Sequence, residues 1–144
     1  MGVKTLFVMR HGDASFGGPD HARPLTSRGR DEVMASAGHL TGIGWIAASP
    51  LLRARQSAGE VMGGDACRVE IWPELIPGGT PGGVYGKLQS TAGNGLLVSH
   101  LPLVAVLIED LTGVVPQMTT GTVAKVSGKE LLPGWCALDW VKQP

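Results

Sequence analysis

The sequence predicts an α/β fold, because strands alternate with helices along most of its 144 residues. Short apolar runs at 3–9, 45–48, 69–72 and 95–99 have the length and composition of strands, and the first of them that of a buried one. Helical patterns separate these runs, with no internal repeat and no linker. This alternation is typical of a sheet covered by helices. We therefore expect one domain over residues 1–144.

The helices are predicted from capping residues and apolar spacing. One begins at Thr26 or Ser27 and ends near Leu40. The next is expected to have Ser49 as its N-cap and Pro50 at its first helical position. Residues 78–83 are rich in glycine and predict a loop. The remaining elements are a weak helix at 84–92, an apolar helix at 102–111 and a closing pair of strands at 120–126 and 135–140.

Composition excludes several classes of protein. Hydrophobic residues make up 43% of the chain, which is too many for a disordered segment. The 12 basic and 12 acidic residues give a formal net charge of +0, so no basic face predicts nucleic-acid binding. No apolar run has the length of a membrane span, and no segment has the pattern of a signal peptide. We therefore expect a cytoplasmic protein that does not bind membranes.

The two cysteines, Cys67 and Cys136, do not have the spacing of metal ligands. In a cytoplasmic protein we expect both to be free thiols, although a disulfide between them stays open. We expect no metal and no cofactor.

Potentially cationic side chains follow three of the predicted strands. Arg10 and His11 come directly after the first strand, Arg53 lies in the first turn after the second, and His100 follows the fourth. In an open α/β sheet, ligands bind outside the carboxyl ends of the strands, so these residues are expected to converge in one crevice. The N-terminus of the helix that carries Arg53 also favours an anion.

Two arginines and two histidines form a site suited to a doubly charged tetrahedral oxyanion. The planar guanidinium donors match phosphate oxygens, and phosphoryl transfer depends mainly on positioning and on charge stabilisation. A neutral histidine can act as the nucleophile, and Arg10 and Arg53 are expected to lower the pKa of His11. The sequence therefore predicts phosphoryl transfer through a histidine.

Three motifs carry a resemblance to a known family. They are residues 6–12 (LFVMRHG), 49–58 (SPLLRARQSA) and 98–100 (VSH), and they resemble the signatures of the histidine phosphatase, or phosphoglycerate mutase-like, superfamily. Four further segments resemble the SixA-type phosphohistidine phosphatases, namely 10–14 (RHGDA), 23–26 (RPLT), 98–104 (VSHLPLV) and 118–121 (MTTG). The resemblance implies a three-layer sandwich with a mixed, mostly parallel sheet flanked by helices.

The resemblance also implies roles for individual residues. His11 would be the phosphorylated nucleophile, and Arg10, Arg53 and His100 would bind the phosphoryl group. The other candidates for substrate binding are Gly12, Arg23, Ser99 and Asp13. Of these, Gly12 would let the backbone approach and orient the His11 ring.

Some of these candidates have alternative interpretations. Arg23 either lines the rim of the pocket or pairs with Asp20 or Asp13, and Ser99 either binds substrate or fixes its loop through a hydrogen bond. Arg55 is expected to be a solvated surface residue.

The segment before the third motif indicates the substrate. Larger members of the superfamily carry a general-acid glutamate in a long segment there. The corresponding segment of this chain, residues 73–94, is short, and Glu74 is its only acidic residue. Asp13 or Glu74 could still serve as an acid. A phosphorylated imidazole needs less acid assistance than a phosphate ester, and the short segment leaves the site open.

We therefore expect a monomeric phosphohistidine phosphatase whose substrate is a histidine-phosphorylated signalling or phosphorelay protein, such as a phosphotransfer domain or a phosphocarrier. The alternatives are a small-molecule phosphomonoesterase or mutase of the same superfamily, and a catalytically silent phosphoprotein-binding module.

Overall fold

A six-stranded sheet forms the centre of the molecule in a computed structural model that describes residues 2–63 and 69–144. Its strands in chain order are β1 Lys4–Arg10, β2 Trp45–Ala48, β3 Val69–Ile71, β4 Gly95–Ser99, β5 Val123–Gly128 and β6 Cys136–Lys142. Across the sheet the order is β3-β2-β4-β1-β5-β6. The pairs β3–β2, β2–β4 and β4–β1 are parallel, and the pairs that involve β5 are antiparallel. The expected mixed, mostly parallel sheet is confirmed.

Within the described residues, four α-helices cover the sheet, namely α1 Ser27–Ala37, α2 Leu52–Val61, α3 Pro81–Leu88 and α4 Leu103–Thr112. Successive side chains of β1 point to opposite faces of the sheet. Phe7 and Met9 pack in one core cluster with residues of α1 and α2, whereas Leu6 and Val8 pack in another with residues of α3 and α4. The three-layer sandwich is therefore confirmed.

The carboxyl ends of β1, β2 and β4 lie at one edge of the sheet. Arg10 pairs with Ser99 in the β1–β4 register, and Ala48 pairs with Val98 in the β2–β4 register. These parallel strands therefore end nearly level, and the residues that follow each of them meet in one place.

The predicted cap of α2 is wrong. The helix begins at Leu52, its N-cap is Leu51, and no side chain caps it. The Ser49 hydroxyl instead accepts a hydrogen bond from the backbone N–H of Leu51 at 3.2 Å and contacts His100. Ser49 therefore forms hydrogen bonds at the edge of the sheet instead of capping α2. Arg53 still lies in the first turn of the helix.

Other boundaries also differ from the prediction by a few residues, and two of them have a clear physical reason. The helix expected at 84–92 is α3, which begins at Pro81 inside the glycine-rich segment that predicted a loop. The Thr80 hydroxyl caps it by accepting from the N–H of Gly83 at 3.4 Å. The strand expected from residue 120 begins at Val123, because Gly121 turns the chain with a φ of +77°.

Cys136 is half-buried, and its thiol donates to the carbonyl of Glu130 at 3.3 Å. It forms no disulfide within the described ranges, and the prediction for Cys67 lies outside them. No helix in the described part of the chain is long and apolar enough to cross a bilayer.

Candidate active site

The backbone of His11 is held from two sides at the end of β1. Its N–H donates to the carbonyl of Ser99 at 3.0 Å, and its carbonyl accepts from the N–H of Gly121 at 3.0 Å. The side chain is buried, with 7% of its surface exposed. The end of β4 and the loop that precedes β5 therefore hold the His11 backbone at the edge of the sheet, and burial restrains the imidazole.

The His11 ring contacts a carbonyl on one side and a guanidinium on the other. Its Nδ1 lies 2.7 Å from the Gly12 carbonyl, which can only accept, so Nδ1 carries the proton. In the neutral ring Nε2 is then an unprotonated lone pair. The Nε–H of Arg53 donates to this Nε2 at a long distance of 3.4 Å. The nucleophilic atom of the ring thus faces a cation.

Two further donors lie in the same cluster. The Arg10 guanidinium donates to the Met118 carbonyl at 3.1 Å, while its Nε is buried and has no partner among the described residues. The His100 ring lies 4.9 Å from the His11 ring, centroid to centroid, and its Nδ1 is likewise buried and unpartnered within the described ranges. The structure therefore brings together all four residues that the sequence placed in the crevice.

A short 3-10 turn, Asp20–Ala22, borders the cluster. Its Asp20 carbonyl accepts from Arg53 at 2.8 Å, and the Asp20 carboxylate lies 3.3 Å from Arg53 and 3.1 Å from Arg23. Arg23 also donates to the Ser15 carbonyl at 2.7 Å and stacks on the exposed ring of Phe16. Arg23 thus forms the expected pair with Asp20, and it lies at the rim of the cluster.

Gly12 lies at a close contact between two backbone segments. A Cβ atom built at Gly12 would lie 2.4 Å from the carbonyl oxygen of Gly29 in α1, so only glycine fits. Its N–H donates to the Ser57 hydroxyl at 3.0 Å, and Ser57 donates in turn to the Arg53 carbonyl at 2.7 Å. This chain of bonds fixes α2 to the carbonyl that orients His11.

The other candidate side chains have protein partners. The Asp13 carboxylate accepts from the Thr26 hydroxyl at 2.8 Å, beside the start of α1. The Ser99 hydroxyl donates to the Leu75 carbonyl at 2.6 Å, a contact of the loop-fixing kind. Glu74 lies in a 3-10 turn after β3, and its Oε1 is buried without a partner among the described residues. Arg55 is exposed and donates to the Pro50 carbonyl at 3.0 Å.

Burial and neighbouring cations keep both histidines of the cluster neutral. Burial is the largest cause that lowers the pKa of His11 to about 4, and Arg53, Arg10 and Arg23 lower it further. Burial also lowers the pKa of His100 to about 3, and electrostatic interactions with the His11 ring and the Arg53 cation lower it further. The expected depression of the His11 pKa thus has desolvation as its main cause and the arginines as a smaller one. A neutral His11 at neutral pH is a competent nucleophile.

These shifts predict that the protein loses stability in mild acid. Both histidines have folded-state pKa values below the unfolded value of about 6.5, so unfolding takes up protons below that pH. The free energy of unfolding is expected to fall between pH 6.5 and 5, by about 1.4 kcal/mol per pH unit for each histidine. Urea unfolding at several pH values measures this slope.

The matched variants for this measurement are His11→Gln and His21→Gln. His11→Gln should make the slope shallower by about 1.4 kcal/mol per pH unit, whereas His21→Gln, at an exposed position, should keep it. Equal slopes in the wild type and in His11→Gln would show that His11 is not buried as a neutral ring.

Comparison with known proteins agrees with this geometry. Residues 6–77 match the family model of the histidine phosphatase superfamily (branch 1), and the chain is 39% identical to phosphohistidine phosphatase SixA of Escherichia coli K12 over 96% of its length and 93% of that protein. The chain belongs to the histidine phosphatase superfamily. The resemblance expected from the sequence is therefore confirmed.

Solved structures of proteins named for different activities share the fold. The protein histidine phosphatase SixA in complex with tungstate is similar with a TM-score of 0.88 and 35% identity, and the match covers 97% of each chain. A mycobacterial glucosyl-3-phosphoglycerate phosphatase matches with a TM-score of 0.75 at 15% identity, over 96% of this chain and 98% of its own. At that identity the likeness shows the fold alone, so the fold by itself does not choose between substrates.

Three residues of this histidine phosphatase site were not among the predicted ones. Asp20 binds Arg53, Ser57 binds the N–H of Gly12, and Ser49 contacts His100. Ser49 and Ser57 lie within the second motif, so the motif itself was the available signal. Asp20 lies in a loop without periodic pattern, and only its contact with Arg53 in the folded chain identifies it.

Proposed function

We propose that this protein is a phosphohistidine phosphatase that hydrolyses the phosphoryl group of a histidine-phosphorylated protein through a covalent phospho-His11 intermediate. The observation that carries the proposal is the position of His11 Nε2. This unprotonated atom faces Arg53 and lies in one cluster with Arg10 Nε and His100 Nδ1, two buried nitrogens that have no partner within residues 2–63 and 69–144. A nucleophile among donors for a developing oxyanion is the arrangement that phosphoryl transfer requires.

Before the first step, the other ring nitrogen of the substrate phosphohistidine takes a proton from solvent. His11 Nε2 then attacks the phosphorus atom in line with the bond to the substrate nitrogen. The new N–P bond forms as the old one breaks, the electron pair of the old bond returns to the substrate nitrogen, and the substrate imidazole leaves as the neutral ring. Arg10, Arg53 and His100 are proposed to hold the equatorial oxygens, and the Gly12 carbonyl keeps the proton on Nδ1 of His11.

In the second step, water attacks the phosphorus atom of phospho-His11. The N–P bond breaks, inorganic phosphate leaves, and His11 Nε2 recovers its lone pair. The same arginines and the neutral His100 stabilise this second transition state. The outer side of the cluster meets solvent, because the Asp20 side chain beside Arg53 is 65% exposed.

The carboxylates around the site favour a phosphohistidine over a phosphate ester. An ester needs an acid to protonate its leaving alkoxide, which is worth roughly 10²–10⁴-fold in rate. Asp20 is the carboxylate bound to Arg53, but its hydrogen bond to Arg23 is the largest cause that lowers its pKa, so it is ionised at neutral pH. Asp13 is engaged by Thr26. A leaving imidazole makes a smaller demand on such an acid.

The relatives support the same substrate class. The Escherichia coli relative is named a phosphohistidine phosphatase, and the similar solved structure is that of a protein histidine phosphatase. We propose a phosphotransfer domain or a phosphocarrier protein as the partner. We place the reaction in the cytoplasm, with residues 1–144 acting as one domain and as a monomer.

The deciding experiment compares two substrate classes. Wild-type protein is given a histidine-containing carrier protein phosphorylated with phosphoramidate, and separately a phosphate monoester such as 3-phosphoglycerate or phosphoserine. We expect kcat/KM to be at least about 10²-fold higher for the phosphohistidine, since only the ester requires a strong acid. The metal chelator EDTA is expected to leave this activity unchanged.

Three results would contradict the proposal. Faster turnover of the phosphate monoester would identify a small-molecule phosphatase, and loss of activity in EDTA would identify a metal-dependent reaction. Tungstate binding without turnover of either substrate would identify a silent phosphate-binding module.

A further inference from the structure

A buried hydrogen bond joins His100 to Ser49. Ser49 follows β2 and His100 follows the adjacent parallel strand β4, and their Oγ and Nε2 atoms lie 2.8 Å apart. The side chains are 0% and 2% exposed, respectively. The backbone N–H of Ser49 also donates to the carbonyl of Val98 at 3.1 Å, so Ser49 is fixed to the strand that carries His100.

The direction of this hydrogen bond follows from the other partner of Ser49. The Leu51 backbone N–H lies 3.2 Å from Oγ and can only donate, so Oγ accepts there. The hydroxyl has one hydrogen of its own, and His100 Nε2 is its only other hydrogen-bond partner among the described residues. The Ser49 hydroxyl therefore donates to Nε2, which accepts through its lone pair.

This direction determines where His100 carries its proton. A neutral imidazole has one N–H, and when Nε2 accepts a hydrogen bond the proton lies on Nδ1. We propose that Ser49 holds neutral His100 in the Nδ1–H tautomer, so that this N–H donates a hydrogen bond to the transferring phosphoryl group. This inference rests on the proposed function, in which that group binds between His11 and His100.

The other protonation states leave groups without partners. In the Nε2–H tautomer the Ser49 hydrogen would be buried without an acceptor in the described part of the chain, and the Nδ1 lone pair would be the group presented to the phosphoryl oxygens. A doubly protonated His100 also leaves the Ser49 hydrogen unpaired, and burial opposes the charge by lowering the pKa of His100.

The two histidines of the site then share one tautomer and perform opposite tasks. His11 donates its Nδ1–H to the Gly12 carbonyl and presents the Nε2 lone pair. His100 accepts at Nε2 from Ser49 and presents its Nδ1–H. Ser49 and the Gly12 carbonyl are thus positioning groups that make one imidazole a nucleophile and the other a donor.

The wild-type protein alone tests the tautomer. Long-range ¹H–¹⁵N correlation spectra of protein labelled with ¹⁵N-histidine distinguish the two neutral tautomers and the cation, and His100→Gln assigns the His100 signals among four histidines. We expect the Nδ1–H tautomer at pH 7, with and without tungstate, the oxyanion bound to the similar solved SixA structure. The Nε2–H tautomer, or a doubly protonated ring, would overturn the inference.

Variants test whether Ser49 sets the tautomer. Ser49→Ala is expected to populate Nε2–H and to weaken tungstate binding and kcat/KM for the phosphohistidine protein by about 10²-fold. Ser49→Thr keeps the hydroxyl and should restore the Nδ1–H tautomer. Ser99→Ala is the matched control for the spectra, because it removes a buried hydroxyl beside His100 that bonds to the Leu75 carbonyl instead of the ring.

Failure of this inference can be told apart from failure of the proposed function. An unchanged tautomer and unchanged tungstate binding in Ser49→Ala would remove the role of Ser49 while leaving phosphohistidine turnover intact. Absence of turnover in the wild type would instead remove the proposed function, whatever the tautomer of His100.

Discussion

Replacing His11 by asparagine is expected to abolish the phosphoenzyme and to lower kcat for a phosphohistidine protein at least on the order of 10⁴-fold, as loss of the nucleophile does in other covalent mechanisms. Asparagine approximates the size of the ring and can still donate to the Gly12 carbonyl, but it has no nitrogen lone pair at the position of Nε2. The loss would therefore report the missing nucleophile and not a collapsed site.

Rapid quenching with a phosphohistidine substrate labelled with ³²P measures this prediction. Wild-type protein should carry label that is stable to alkali and lost in acid, as a phosphoramidate bond requires, whereas His11→Asn should carry none. His39→Asn, at an exposed position just after the end of α1, is the control and should be labelled like the wild type. Label retained in His11→Asn would assign the nucleophile to another residue.

The sequence was sufficient to predict the convergence of the site. Arg10 and His11 are separated from His100 by more than half of the chain, but Arg10 ends β1, His11 follows it, His100 follows β4, and the strands β1 and β4 are adjacent and parallel. The carboxyl ends of parallel strands lie at one edge of a sheet. Because each of these residues lies at the carboxyl end of a predicted strand, the sequence alone was enough to predict that their side chains come together. Arg53 followed from the same argument, since its helix begins at that edge.

Contacts between distant segments could not be predicted in the same way. The pattern Ser-Pro is typical of a helix N-terminus, yet the Ser49 hydroxyl lies 2.8 Å from a histidine 51 residues away, and the helix begins three residues later. Asp20 belongs to a loop whose place beside Arg53 depends on the docking of α2. Local sequence patterns predict helix caps and the periodicity of apolar residues. The hydrogen bonds of Ser49 and Asp20 depend instead on which distant segments the fold brings into contact.

The glycines of α3 and Gly12 also show that local sequence patterns do not predict contacts within the fold. Glycine at 82, 83 and 86 opposes a helix by intrinsic preference, and the Thr80 cap with Pro81 behind it outweighs that preference. Gly12 was predicted to orient His11, and the structure adds the reason for its size, which is the 2.4 Å approach of its Cβ position to the Gly29 carbonyl.

Arg53→Ala is expected to lower kcat/KM for the phosphohistidine protein by about 10²–10³-fold, whereas Arg55→Ala should change it by less than about threefold. Both arginines lie on α2, two residues apart, and differ in what they contact. Arg53 is 5% exposed and donates to His11 Nε2 and to Asp20, while Arg55 is exposed and, among the described residues, donates only to the Pro50 carbonyl. Steady-state phosphate release from the two variants makes the comparison.

Arg53→Lys separates charge from geometry at the same position. Lysine keeps the positive charge but has one ammonium in place of the planar fork that reaches both His11 and the Asp20 turn. If the fork is needed to bind the equatorial oxygens, Arg53→Lys should recover only a small part of the loss in Arg53→Ala. Full recovery would show that Arg53 acts through its charge alone, and an equal loss in Arg55→Ala would show that the effect belongs to the helix and not to the phosphoryl site.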